Sequence, residues 1–427
     1  MNLVSCKRKT QYLIKSILII YVFCLVYSPR LIVYNTLHIL FALSLLITPL
    51  IFKQFIKIAK NAITVKFCIV YFCLIFCSTV IAALGEERLT ITNFVVVPIE
   101  LGTCVLALLS VMRWQKMGSR DLIQIIIIAG IIQSLICCAM VFSSEFRIVI
   151  NEFRSQYWDD RMNGWATIRL LGFADGLFHT TPIIQAIISI LIIKKAEQNP
   201  LYLVFAVTTL ISAILNSRTS FIVWIICFIV YLFLNSESKK RKRNNIILLV
   251  GCLSLLPIMI FALLGEYASG AVEYFYSGMD EISSASQGKN EGFFSLLSKY
   301  LVFPSGIFFL LGVGTDTYGK LNNPDFRGIH TDYGFVNDIW IYGIVGATVM
   351  VILYFKTILN CLRLKNVYAK LITYCLIIAF VLGHFKGIIT YYNDFTAFLL
   401  LVSSSTVLDN PFKGTDQIKS PLINHEV

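Results

Sequence analysis

Long apolar runs alternate with short polar breaks along almost the whole chain, and each run approaches the ~20 residues that a bilayer-crossing helix needs. Backbone groups cannot be left unpaired in hydrocarbon, so such runs are expected to be helical. Twelve spans are expected, near residues 12–28, 31–52, 63–84, 93–112, 122–142, 176–193, 200–215, 219–234, 246–264, 335–355, 371–389 and 395–409. The pattern therefore predicts an all-α, polytopic integral membrane protein with a single membrane domain over 1–427. The first run follows Lys7, Arg8 and Lys9 in the manner of a signal peptide. No small-residue cleavage site follows it and a second run begins at once, so it is expected to remain as an anchor.

Two breaks are long, 143–175 and 265–334, and long loops in a compact protein usually serve function. The first opens on Phe146, Val149, Ile150 and Phe153, a helical stripe with Glu145, Arg147, Glu152 and Arg154 on other faces and Trp158 and Trp165 beyond. Such a stripe predicts an amphipathic helix at headgroup depth. Within the second break, 301–312 is apolar but short, and Pro304 and Gly306 interrupt it. A re-entrant or interfacial segment is expected there.

Composition agrees with this picture: 57% of residues are hydrophobic and 14% charged, where a soluble domain carries about a quarter charged. The net charge of +12 becomes informative once it is divided between the two sides. With the N-terminus inside, alternating loops place 22 basic residues against six acids inside, and 12 against 17 outside. Every inner loop is basic, as short cytoplasmic loops should be, and both termini, including a tail at 410–427, fall inside. The positive excess thus records topology, and the run Lys239 to Arg243 is read as a topology determinant with no nucleic-acid partner implied. Twelve cysteines are scattered, mostly inside apolar runs, without metal-ligand spacing, and read as packing residues. No metal site or cofactor is indicated.

Against a net-acidic outer surface, a few cations lie beside span ends: Arg169, Arg218, Arg327, His330, His384 and Lys386. Arg218 sits on a very short outer turn, where it is either a snorkelling helix-end residue or an anion clamp whose planar fork matches phosphate oxygens. The stretch from Arg327 through His330, Asp332, Asn337 and Asp338 brings a His, carboxylates and an Arg to the entry of a span. A His near a carboxylate is either an oriented general base or part of a solvated turn. Residues 314–320 trace a phosphate-loop outline, but Leu321 stands where Ser or Thr must hold magnesium, so that motif is discarded. His38 is expected to be packed and hydrogen-bonded within a span. Glu100 is intramembrane with no evident partner, which makes it a functional candidate by default; a helix-end position facing outward is the other reading.

The chain resembles the O-antigen polymerase and ligase superfamily, and within it the Wzy-type polymerases. Arg169, Gly172 and Phe173 resemble the Arg and Gly-Phe that close the family's first large outer loop. Ser217 and Arg218 resemble its Ser-Arg pair opening a mid-chain span. Gly312 and Gly314, then His330, then Gly343 and Gly346 resemble the series around its second loop. The resemblance covers roughly residues 140–360; where the family often has Asn after the His, this chain has Thr331 and Asp332.

The resemblance implies a GT-C-like membrane glycosyltransferase in the bacterial inner membrane, with 143–175 and 265–334 as periplasmic loops. It implies a polymerase that joins undecaprenyl-diphosphate-linked oligosaccharide repeats during lipopolysaccharide or other surface polysaccharide synthesis. Arg169, Arg218 and Arg327 would bind the diphosphate, and His330 with Asp332 would be catalytic. Implied partners are the lipid-linked oligosaccharides, membrane lipids and a chain-length regulator. Two alternatives stand beside it: the sister ligase that transfers glycan to lipid A core, and a precursor flippase or transporter.

Overall fold

A computed structural model describes residues 3–31, 34–84, 96–155, 172–174, 180–234, scattered positions between 239 and 250, 301–315, 331, 333–387, 389–390 and 394–409. The described residues are almost entirely helical. Helix α1 (Leu3–Tyr27) leads into a two-residue antiparallel pair, β1 (Arg30–Leu31) and β2 (Tyr34–Asn35), followed by α2 (Thr36–Ile47), α3 (Phe52–Asn61) and α4 (Ile63–Leu84). A π turn, Val96–Leu101, opens α5 (Gly102–Trp114), and α6 (Ser119–Phe142) and α7 (Ser144–Ser155) follow. Next come α8 (Thr180–Ala196), α9 (Tyr202–Asn216), α10 (Arg218–Phe233) and the short α11 (Ile307–Leu311). The chain ends in α12 (Gly334–Asn360), α13 (Ala369–Lys386) and α14 (Asp394–Ser404).

Four of the described helices are long and apolar enough to cross a membrane: Ile63–Ala83, Ser119–Phe142, Gly334–Arg363 and Ala369–Lys386. Apolar side chains such as Phe76 on α4, Phe233 on α10 and Ile352 on α12 face outward, the arrangement expected where hydrocarbon is the solvent. These features are consistent with a membrane protein. The expected span at 31–52 takes a different form. Asn35 caps α2 by accepting from the Leu37 amide at 2.8 Å, and α2 then meets α3 at 117°, so that region is a bent pair, counting as a fifth span if the pair is taken together. The physical reason is the Lys53, Lys57 and Lys60 stripe on α3, which would have to enter hydrocarbon if α2 continued straight.

The core sits around α8 and α14. All residues of α8 from Thr180 to Ile193 and all of α14 are buried, and both carry polar side chains, Thr181, Gln185 and Ser189 on α8 and Asp394 and Thr396 on α14, which burial between helices keeps out of hydrocarbon. Helix α8 packs against α6, α9, α10, α13 and α14.

One end of the bundle carries Lys53, Lys57, Lys60, Arg113, Lys116, Arg120, Lys194, Lys195, Lys356, Arg363, Lys365 and Lys370, and is called the basic end. Its turns are pinned by Asp409, whose carboxylate accepts from Ser119 N (3.1 Å), Ser119 Oγ (2.6 Å) and Lys365 N (2.9 Å). Arg113 donates to the carbonyls of Val407 and Leu408, groups that the end of a helix leaves unpaired. Buried Glu197 is matched in the same region by Lys194 (2.8 Å) and the Tyr231 hydroxyl (2.9 Å).

The amphipathic helix expected after residue 143 forms as α7. Ile150 is buried with Met140 of α6 and Phe146 packs beside them, while Val149 is exposed. The expected re-entrant segment is described over 301–315, with α11 at its centre.

Candidate functional site opposite the basic end

At the far end of the bundle buried polar groups are concentrated on five helices. Gln133 and Ser134 come from α6, Thr181 and Gln185 from α8, Asn337 and Asp338 from α12, His384 from α13 and Asp394 from α14. Tyr27 ends α1, and the turn Asn216 to Arg218 joins α9 to α10. Burying so many polar atoms is costly unless they are paired, and two networks account for most of the pairing.

The first network links α1, α6, α8 and α14. Ser134 Oγ donates to Gln185 Oε1 (3.1 Å), and Gln185 Nε2 donates to the Tyr27 hydroxyl (3.1 Å). One turn earlier on the same face of α8, Thr181 Oγ1 donates to Asp394 Oδ2.

The second network centres on Asp338, which is 1% exposed. Thr390 Oγ1 donates to its Oδ1, and His384 Nε2 lies 3.3 Å from its Oδ2. That separation is within ion-pair reach, but neither ring nitrogen of His384 attains hydrogen-bond alignment with a described residue. His384 is 7% exposed and stacks on Phe380, which stacks in turn on Tyr354. The ring is therefore held from one side by aromatic contact and faces a carboxylate on another. Asn337 Nδ2 donates to the carbonyls of Thr331 (2.8 Å) and Tyr333 (3.1 Å), which ties the start of α12 to the loop before it.

Glycines set the backbone approach that makes this possible. A Cβ on Gly334 would stand 2.1 Å from the Gly387 carbonyl oxygen, so α12 and the end of α13 touch only because residue 334 has no side chain. A second crossing lies lower on α12. Gly343 adopts φ 66° and ψ 172° and breaks the helix, and the 310–314 segment docks against the break. Val313 N donates to Trp340 O at 2.6 Å, and Trp340 Nε1 donates to Val302 O at 2.8 Å. A Cβ on Gly312 would meet Gly343 N at 2.5 Å, and one on Gly314 would meet Ser78 O of α4 at 2.5 Å. The glycines at 312, 314 and 343 thus have a packing cause that is independent of any substrate.

Of the residues singled out from sequence, Arg218 is described: it opens α10 next to Ser217, its extended N-cap. Helix α10 packs on α8 and α13, and the first residue of α10 and the last turn of α13 lie at the same end. Arg169, Arg327, His330 and Asp332 lie outside the described residues. Most of 143–175 and 265–334 beyond the elements given above does too, as does 410–427. The Asp338 and His384 pair was not foreseen as a pair. Each residue was visible as polar beside a span end, and the signal that would have joined them is that their spans are consecutive and antiparallel. Nothing in sequence marked Thr181 or Asp394. Glu100, expected to lack a partner, has one: its Oε2 lies 2.7 Å from His38 Nδ1. His38 is hydrogen-bonded as expected but half-exposed, its side chain 51% accessible.

Compared with known proteins, the chain matches no family model and no curated protein.

Proposed function

We propose that the protein is a twelve-span, GT-C-like membrane glycosyltransferase of the Wzy type, which joins undecaprenyl-diphosphate-linked oligosaccharide repeats outside the inner membrane. The observation that carries this reading is the placement of Asp338, His384 and Arg218 at the end of the bundle opposite the basic loops. Basic loops mark the cytoplasmic side, so this end is taken as periplasmic, where the lipid-linked repeats are presented.

The reaction breaks the bond between an anomeric carbon and its diphosphate, and forms a glycosidic bond to a hydroxyl of the next repeat. The hydroxyl proton goes to a base, and the undecaprenyl diphosphate leaves with the bond electrons. Arg218, together with Arg169 and Arg327, neutralises the leaving diphosphate, and electrostatic stabilisation of this kind is usually the largest catalytic contribution. His330 with Asp332 accepts the proton. Asp338 and His384 supply a second carboxylate–imidazole pair at this end of the bundle, 3.3 Å apart.

Protein in liposomes supplied with lipid-linked repeat units tests this directly. Lengthened glycans are the expected product. A product formed only when lipid A core is added identifies the ligase, and transbilayer movement with no new glycosidic bond refutes glycosyl transfer altogether.

A further inference from the structure

An apolar groove of about 350 Å³ runs between α4 and the π turn that leads into α5, at the lower end of ligand-pocket volumes, ~300–1,000 Å³. Val65, Cys68, Ile69 and Phe72 form one wall, and Ile99 and Leu106 the other. Gly102 forms the floor: a Cβ there would stand 2.8 Å from Cys68 Sγ, so the two helices approach closely behind the groove while its front stays open.

One end of the groove begins at Thr64, four residues after Lys60. This is the basic end, where α3 turns 117° from α2 and lies across the bundle. Helix α3 buries Ile58 and packs on α5, and it leaves Lys53, Lys57 and Lys60 exposed in a single stripe. No acidic residue occurs between Phe52 and Leu84. Lys66, on the first turns of α4, is exposed as well, and its aliphatic stem is long enough to carry the ammonium back to the interface. Among the described residues no ion pair involves these lysines, and their cationic stretch leads in sequence directly into the apolar groove.

We propose that this is a binding site for an anionic phospholipid, with one acyl chain in the α4–α5 groove and the phosphate held by Lys57, Lys60 and Lys66. Charge complementarity selects the occupant. A zwitterionic lipid gains the apolar contact alone, whereas the three lysines together favour an anionic headgroup by roughly fivefold, about what a single lysine contributes beside a fully anionic surface. The site lies at the opposite end from Asp338 and His384 and is independent of the proposed transfer reaction.

The test uses the full-length protein in phosphatidylcholine membranes containing trace phosphatidylglycerol or phosphatidylcholine, each spin-labelled on the acyl chain. The readout is the motionally restricted fraction of each lipid. Wild type is expected to restrict phosphatidylglycerol several-fold more than phosphatidylcholine, with the preference falling as salt shortens the screening length from ~10 Å at 0.1 M to ~3 Å at 1 M. The K57Q/K60Q/K66Q variant is expected to lose most of that preference. Thr103→Phe, which fills the groove from the α5 side, is expected to lower the restricted fraction of both lipids. A K365Q/K370Q variant, equally basic-end and equally exposed, is expected to behave as wild type. The proposal is overturned if the triple variant keeps the wild-type preference, or if K365Q/K370Q lowers it as much, since the effect would then be diffuse surface charge. It is also overturned if Thr103→Phe leaves both fractions unchanged.

Discussion

Replacing Gly343 by Ala should undock the 301–315 segment from α12, and the structure permits the size of the effect to be worked out. Gly343 sits at φ 66° and ψ 172°, a region that costs a residue bearing a Cβ about 1–3 kcal/mol. The new Cβ would lie 2.2 Å from the Leu310 carbonyl oxygen, a distance no real contact attains, so 310–314 must move away. Movement breaks the bonds from Val313 N (2.6 Å) and Gly314 N (3.3 Å) to Trp340 O, of which the shorter contributes about 0.5–1.5 kcal/mol. Docking should therefore weaken by about 2–4 kcal/mol, or roughly thirty- to several-hundred-fold. Hydrogen exchange on the protein in nanodiscs, read by mass spectrometry on peptides spanning 308–316, reports this as lost protection at Val313. Gly306 provides the control, since it also has a positive φ of 60° but no atom lies within 4 Å of where its Cβ would stand. Gly306→Ala carries strain without collision, so it should lose less protection at Val313 than Gly343→Ala by the hydrogen-bond share of the effect, roughly two- to tenfold. Wild-type protection in Gly343→Ala, or equal loss in Gly306→Ala, would refute the reasoning that backbone collision at residue 343 controls docking.

Other consequences concern the two ends of the bundle. Asp338→Asn keeps the shape that Thr390 contacts but removes the charge facing His384. It should slow glycan extension in liposomes by roughly a hundredfold, within the usual range for acid–base groups, while the protein unfolds at nearly its normal temperature. Arg218→Lys preserves charge but loses the planar fork, and should lower the same rate by roughly tenfold; an unchanged rate would return Arg218 to a snorkelling role. Gly334→Ala forces α12 away from the Gly387 carbonyl and should cost about 1–3 kcal/mol, seen as a lowered melting temperature of the purified protein. Asp409→Ala removes the acceptor shared by Ser119 and Lys365 and should cost about 1–3 kcal/mol in denaturant titration.

Hydropathy located where the described helices lie, since the need to pair every backbone group in hydrocarbon acts locally, but of the twelve expected spans four described helices, or five with the bent pair, are long and apolar enough to cross. It failed most plainly where two demands collided. Between 31 and 52 the run is long enough to cross, yet lysines at 53, 57 and 60 sit on an amphipathic helix, and the chain bends to keep them at the edge. The expected isolation of Glu100 failed for a different reason. Its partner His38 is 62 positions away, and no local pattern encodes which helices become neighbours.

The candidate site divides along the same line. Arg218, His384 and Asp338 were visible one at a time as polar residues beside span ends, because burying such groups is expensive enough to make them conspicuous. The pairing of Asp338 with His384 was not visible, nor was the role of Thr181, Asp394 or Thr390, which look like ordinary helix-end polar residues until α8, α12, α13 and α14 are packed.

What the sequence determined by itself is the solvent, the helical class and which loops carry positive charge, all consequences of short-range hydrophobicity and of charge in connecting segments. What only tertiary structure decided is the pairing of helices, which places Asp338 beside His384 and Glu100 beside His38, the break at Gly343, and the groove beside the α3 lysines. Those depend on backbone approaches set by single glycines and on contacts between residues distant in the chain, where the energy lies in the packing and leaves no periodic trace.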